Sequence, residues 1–503
     1  MKSQKVLYIA AECKPFSKTG GVGDVAGELP PELKRQGIDI EIVTPLYGFN
    51  NPLIAGKKPS NKYTLNFNGV KEIAEVYQAE LSGVPVNFVR NQRYFGSSEI
   101  YVNSRDIAYI DDARRFSFFS MVCLAIVKDI KPQTVHINDW VLGYLFGWMV
   151  LEQMPQRRIL TIHNVGYQGN IDKMQIKGWS IEEFLTKEET AEKFTDPHDD
   201  WNSVNALRLA LELSHKANTV SPNYCREMTL PENQAECFEG GKGLHTVAKQ
   251  KYEKGELIGI LNGFEYKFEP TDTNFLETLE KKKKMKAALS RYFKHPENML
   301  LGFVGRAVDQ KFKLLADKYD GKSVLEHLLK IDGINIAILA TGLPKYESFV
   351  GNIAVTRFSG SLTYEGILEL PRRDNYCPII AFDGEKAQQI SLGSDVFLMP
   401  SLFEPCGITQ MESMYNATPP LVRWTGGLVD TVKAHSLGDG TGFGFDGATC
   451  EEVLRNLVSS VRESLSMFRD NHEQFIELQR RAFRQRFLWS ATAKQYIDKL
   501  YLS

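Results

Sequence analysis

Two series of short apolar runs, each run ending in polar residues, constrain this chain more than any other feature. The first holds "KVLYIAA", "IDIEIVTP", "TVHIND", "RILTIHN" and "KANTVSP"; the second holds "MLLGFVGR", "NIAILATG", "YCPIIAF", "DVFLMPS" and "PPLVRW". Near-continuous apolar strands alternating with amphipathic stretches read as parallel sheets covered by helices on both faces. Two such series predict an α/β chain with two Rossmann-like, doubly wound domains. The break falls at "GILNGFEYKFEPTDTNF", giving a first domain over 1–265 and a second over 266–481. A terminal helix over about 482–503 is expected to pack back on the first domain. In open α/β sheets, ligands bind beyond the carboxyl ends of the strands. Lys18, His163, Arg306, Gly342 and Glu404 all fall at or just past such ends, which predicts a ligand cleft between the domains.

Composition narrows the partners. Lys and Arg number 60 against 62 Asp and Glu, a net charge of -2 that leaves no electrostatic footprint for nucleic acid or an anionic membrane. The lysine run 281–284 reads as a solvated helix face. No stretch approaches the roughly 20 apolar residues of a membrane-spanning helix. Seven scattered cysteines without a CxxC pair argue against a disulfide framework or a structural zinc site, and for a reducing, cytoplasmic setting.

Four constellations carry candidate chemistry. In "SKTGGVGDV", Lys18, Gly20 and Gly21 lie between the first strand and a helix start, where free N–H groups and a cation can receive an anion. The same letters also fit a dinucleotide-binding GxGxxA pattern or a tight turn with an exposed lysine. In "GFVGRAVDQKFK", Arg306 and Lys311 suit a diphosphate whose charge grows as it leaves; a pair of surface cations is the plainer reading. In "FLMPSLFEPCGITQM", Glu404 sits in a constrained loop before a helix, and Thr425, Gly426 and Gly427 open a second possible phosphate cradle. In "RILTIHNVGYQGN", His163 ends a strand, as either a ligand contact or a core histidine.

Taken in order and spacing, these segments resemble the bacterial glycogen synthases and plant starch synthases, retaining glucosyltransferases of the GT-B fold. "KTGGVGDV" is similar to the family's KTGGLGDV, "TIHNVGYQG" to TIHNLAYQG and "GRAVDQK" to SRLxxQKG; "FEPCGITQM" and "TGGLVDTV" match almost letter for letter. The resemblance runs through nearly the whole chain. It implies transfer of glucose from ADP-glucose to the non-reducing end of an α-1,4-glucan or maltooligosaccharide, with retention and without a metal or other cofactor. It gives Lys18, Gly20 and Gly21 to the donor phosphates, Arg306 and Lys311 to the diphosphate, and Glu404 and His163 to the reacting sugar. Thr425, Gly426 and Gly427 would cradle the distal phosphate, and Phe382 would stack on adenine where the family has a tyrosine.

The chain also departs from the family. His-x-His-Asp-Trp-His becomes His136-Ile137-Asn138-Asp139-Trp140-Val141, which puts Asn138 and Asp139 on the expected acceptor side with two histidines lost. GTGDP becomes "ATGLP" with Leu343 in place of the acid, and the stretch between Glu347 and Phe382 is longer by roughly a dozen residues than usual loops require. These changes keep two alternatives open: a glucan-binding paralogue that modulates another synthase, and a glucosyltransferase with a short oligosaccharide acceptor.

Overall fold

The computed structural model describes residues 4–48, 55–101, 109–197, 202–354, 368–369 and 374–502. The chain divides into two compact units. Unit 1 comprises 1–232, 240–263 and 488–503; unit 2 comprises 233–239 and 264–487. The division at 263/264 lies two residues before the boundary read from the sequence, and the terminal piece of unit 1 begins at Leu488 rather than 482. The short excursion Asn233–Glu239 into unit 2 has no counterpart in the sequence reading.

Unit 1 is built on a nine-stranded sheet. Its strands in chain order are β1 (Lys5–Ile9), β2 (Asp39–Pro45), β3 (Asn61–Phe67), β4 (Val70–Leu81), β5 (Val84–Arg90), β6 (Thr134–Asn138), β7 (Arg157–Ile162), β8 (Lys216–Thr219) and β9 (Leu257–Gly259). Spatially they run β9-β8-β7-β6-β1-β2-β5-β4-β3. All neighbours from β9 through β5 are parallel, and β4 and β3 add an antiparallel hairpin at one edge.

Strand side chains alternate between faces, so β1 feeds two cores at once. Leu7 and Ile9 join the core under the helix Tyr109–Ile130, while Val6 and Tyr8 join the core that includes Val25, Leu29, Trp489, Tyr496 and Tyr501. Burial on both faces is why these strands read as continuous apolar runs. The helix Trp489–Tyr496 thus belongs to unit 1, against the helix Gly21–Arg35.

Unit 2 repeats the plan with β10 (Met299–Ala307), β11 (Ile334–Gly342), β12 (Leu368–Glu369), β13 (Tyr376–Ile380), β14 (Val396–Met399), β15 (Pro420–Arg423) and β16 (Phe443–Phe445). The order is β12-β13-β11-β10-β14-β15-β16, parallel except for β12. Leu301, Phe303 and Ile338 face one core; Leu300 and Leu339 face the other.

Two expectations need correction. Three of the four lysines at 281–284 are solvated, but Lys282 is buried and donates to the carbonyls of Leu392 and Ser394 and to the Thr418 hydroxyl. Burial pushes its ammonium down to about 7. The chain also holds a disulfide, Cys237–Cys450, across 213 residues of sequence, with Cα atoms 5.2 Å apart. Sequence spacing could not show it, because folding alone brings Cys237 of the excursion to the helix Cys450–Asp470. Cys13, Cys123, Cys225, Cys377 and Cys406 are free and buried.

Candidate active site

The first site element of unit 1 is the loop between β1 and the helix Gly21–Arg35. Lys18 is exposed and paired with Asp24 at 2.7 Å. Gly20 is half-buried and Gly21 exposed. The buried Glu12 carboxylate accepts from the N–H groups of both Thr19 and Gly20, and the Tyr101 hydroxyl donates to its other oxygen at 3.2 Å. Burial pushes the Glu12 carboxyl up, against these bonds. Two amides of the supposed cradle are therefore already bonded, and the exposed Lys18 ammonium is the loop's principal feature for an anion. Glu12 was missed in the sequence because nothing local marks a carboxylate that folds back on its own loop.

The second element is the carboxyl end of β6 and β7. His163 is nine-tenths buried, and its backbone N–H donates to Asp139 at 2.7 Å. Asp139 adopts φ 59°, which a non-glycine residue holds only where surrounding bonds enforce it. Burial raises its carboxyl to about 7, opposed by the two N–H bonds from His163 and Asn164. The His163 ring meets Asn138 through Nε2 at 2.9 Å, and Asn138 is wholly buried. Two residues back on the same face, His136 is buried between the Tyr501 and Thr161 hydroxyls, at 2.7 Å each. Burial lowers both histidines to about 3, so both rings are neutral at ordinary pH. Val141 is buried in the core. Asn138 thus meets protein through every polar atom of its side chain. The period of two from the core residue His136 was the signal that put it there.

Unit 2 carries its charges at the ends of the neighbouring strands β10 and β14. Arg306 is exposed near the end of β10. Lys311 follows in the helix Asp309–Ala316 and forms an ion pair with Glu404. Glu404 is buried and also accepts from the Ser401 hydroxyl at 3.0 Å. The helix and the Glu404 loop are knitted by Leu402 N–H to the Gln310 carbonyl (2.7 Å) and by the Gln310 amide to the Phe403 carbonyl (3.1 Å). These bonds bring Lys311 and Glu404 together from 93 residues apart in sequence.

Behind them lies Thr425-Gly426-Gly427. Gly427 N–H donates to the Glu404 carbonyl at 2.9 Å. A Cβ on Gly426, which has φ 48°, would stand 1.9 Å from that same oxygen, and one on Gly427 would stand 2.4 Å from the Cys406 carbonyl. Close backbone approach to the Glu404 loop therefore accounts for both glycines before any ligand is considered. The sequence reading missed Arg423, the last residue of β15. Its buried guanidinium donates to the carbonyls of Leu402 (2.7 Å), Cys237 (2.8 Å) and Glu236 (3.3 Å) and pairs with Asp446 at 3.2 Å. It fastens the Glu404 loop to the excursion that the disulfide also holds. Phe382, just past β13, is fully exposed.

Comparison with known proteins decides the family. The family described as the starch synthase catalytic domain matches residues 5–250. A glycogen synthase of Clostridioides difficile is 32% identical over 518 residues, covering 98% of each chain. A glycogen synthase of Thermotoga petrophila is 31% identical over 523 residues, again covering 98% of each. This chain belongs to the glycogen synthase and starch synthase family. The catalytic domain of starch synthase IV from Arabidopsis thaliana, solved with ADP and acarbose, has a TM-score of 0.77 at 24% identity and covers 99% of each chain, so the fold is the GT-B fold of that family.

The positions that the resemblance reads as departures have local partners. Leu343 packs against the apolar core of unit 2, and its N–H donates to the Ala307 carbonyl at 2.8 Å. Glu347, four residues on, has its buried carboxylate taken up by Thr341 and Gly342, which donate to it at 2.7 and 2.8 Å. Most of the long stretch before Phe382 lies outside the described residues. Among the described residues, no group of three His, Cys, Asp or Glu could hold a metal ion, and no helix is long and apolar enough to cross a membrane.

Proposed function

We propose that this chain transfers glucose from ADP-glucose to the 4-hydroxyl at the non-reducing end of an α-1,4-glucan, with retention of the α configuration. The observation that carries this reading is the Lys311–Glu404 pair beside the exposed Arg306, at the ends of two adjacent parallel strands. The chemical demand is to stabilise a departing diphosphate and a sugar that becomes cationic at its anomeric carbon. Arg306 and Lys311 bear the charge for the first, and the Glu404 carboxylate for the second. The bond from the anomeric carbon to the diphosphate oxygen breaks as the acceptor oxygen bonds on the same face. The acceptor proton passes to the leaving phosphate.

Lys18 and Gly21 are assigned to the donor phosphates, with Gly20, whose N–H Glu12 holds, shaping that loop; Thr425 and Gly426 are assigned to the distal phosphate, with Gly427, whose N–H the Glu404 carbonyl holds, shaping the turn. Phe382, exposed and aromatic, is assigned to the adenine face. His163 is assigned to the sugar. Asn138 and Asp139, on the side expected for the acceptor, are assigned to holding His163, since their bonds run to its ring and backbone. The ADP and acarbose of the plant starch synthase structure support a nucleotide-sugar donor and a glucan acceptor. A cytoplasmic setting is part of the proposal; the five free cysteines support it and the single disulfide weighs against it.

The test is incubation with ADP-glucose and glycogen. Release of ADP should equal glucose gained by the polymer, and the new linkage should be α by proton NMR. Donor cleavage without polymer growth, or a β linkage, overturns the reading.

A further inference from the structure

The hydrogen bonds of Asn138 leave no freedom in the His163 ring that meets it. The Ile9 carbonyl, 2.9 Å from Asn138 Nδ2, can only accept, so the amide nitrogen must face it. The amide oxygen is then turned toward the Tyr8 hydroxyl and His163 Nε2, both at 2.9 Å. An amide oxygen only accepts, and it has two lone pairs for two donors. Tyr8 therefore donates through its hydroxyl, and His163 donates through Nε2–H. Burial keeps the imidazole neutral, so it carries one proton in all.

We propose that Asn138 is a positioning residue that fixes His163 in its Nε2–H form, leaving Nδ1 as an acceptor for a hydroxyl of the bound sugar. Asp139 completes the device by holding the His163 backbone N–H at 2.7 Å. One residue thus sets the proton on the ring, and the next sets the position of its main chain. A histidine at 138 would leave the matter open, because its facing nitrogen can either donate or accept. Asparagine at 138 therefore makes this contact an oriented one. The outcome is a preference for a sugar hydroxyl that donates to the ring. The last step rests on the glucosyl-transfer reading; the tautomer itself does not.

The experiment is nitrogen-15 NMR of the histidine rings in the full chain, with His163→Gln assigning the His163 signals among the nine histidines. The expected spectrum has a protonated, pyrrole-type Nε2 and a pyridine-type Nδ1 at His163. Adding ADP with maltotriose should shift Nδ1 in the direction of hydrogen-bond acceptance and leave Nε2 nearly unmoved. Asn138→Leu should give a mixture of tautomers and a loss of about tenfold in kcat/KM, the size of one hydrogen bond. Combined with His163→Gln it should cost little more than either change alone. A His163 that is Nδ1-protonated or mixed in the unaltered chain overturns the proposal, whether or not Asn138→Leu folds. Additive losses in the double variant overturn it as well. The expected tautomer in a chain that transfers no glucose supports the role of Asn138 and counts against glucosyl transfer alone.

Discussion

The two units bring opposite kinds of chemistry to their strand ends. In unit 1, His163 and its supporters Asn138, Asp139 and Tyr8 form a hydrogen-bonded assembly whose histidine is neutral, with every polar group aimed by another. In unit 2, Arg306, Lys311 and Glu404 are ionic, and the cations keep access to solvent. Fixed neutral donors and acceptors recognise a sugar by the direction of its hydroxyls. Charges with solvent access recognise a diphosphate by its charge, and gain strength as that charge grows in the transition state. The difference teaches that the β7 end of unit 1 is built for geometry and the β10 and β14 ends of unit 2 for electrostatics, with Lys18 after β1 the charge that unit 1 adds.

The sharpest way to break this contrast is Lys311→Ala. It should lower kcat by 10²-fold or more, on the order of the loss of one preorganised charge stabiliser, with a smaller change in donor KM. Steady-state kinetics in which only KM moves would mean that unit 2 merely binds. Next in size is Gly426→Ala. The added methyl meets the Glu404 carbonyl and needs φ 48°, so about 2 kcal/mol of stability should be lost with a roughly tenfold fall in kcat. Urea unfolding and initial rates test it, and full stability with full activity would mean that the Glu404 loop is not held by its neighbour.

A smaller effect separates the units by pH. Lys282 in unit 2 releases its proton at about 7 when folded, and near its ordinary value of 10.5 when unfolded. The unfolded state binds more protons between these limits, so stability should rise with pH from about 7 upward. Lys282→Met should lose that rise in urea midpoints collected from pH 7 to 9. His163 in unit 1, lowered to about 3, should contribute nothing between pH 6 and 8. Profiles of kcat/KM for His163→Gln and the unaltered chain should therefore run parallel there, sharing any step near pH 7 that Asp139, raised to about 7 by burial, brings to both; a crossing would mean that His163 itself is charged. The smallest expected effect is none: activity should persist in saturating EDTA, because Arg306 and Lys311 carry the charge a cation would otherwise bring. Loss restored by Mg²⁺ would refute that division of labour.

Much of this was legible in the sequence where the physics is local. Double-sided burial makes β1, β7, β10 and β11 continuous apolar runs, and the ends of β7 and β10 carry His163 and Arg306. Lys18, Lys311 and Glu404 follow such ends within a short loop or one helical turn. The antiparallel hairpin β3–β4 was not legible, because its half-exposed strands lack that continuous pattern. Neither were Glu12, Arg423 and the Cys237–Cys450 disulfide, whose partners are set by how loops fold back. Asn138 is the instructive case. Its distance from His136 in the strand marks its face, whereas family likeness alone put it beside the acceptor.

The place of Trp489–Tyr501 in the core of unit 1 has a consequence for how the chain is made. A ribosome delivers the strands of unit 1 by residue 263, yet Tyr8 and His136 still lack the Tyr496 and Tyr501 rings that cover them. At about 5–20 residues per second, the 224 residues of unit 2 from 264 to 487 occupy roughly 10–45 s before that cover emerges. Throughout that interval the nascent first half carries an uncovered aromatic face around Tyr8 and His136.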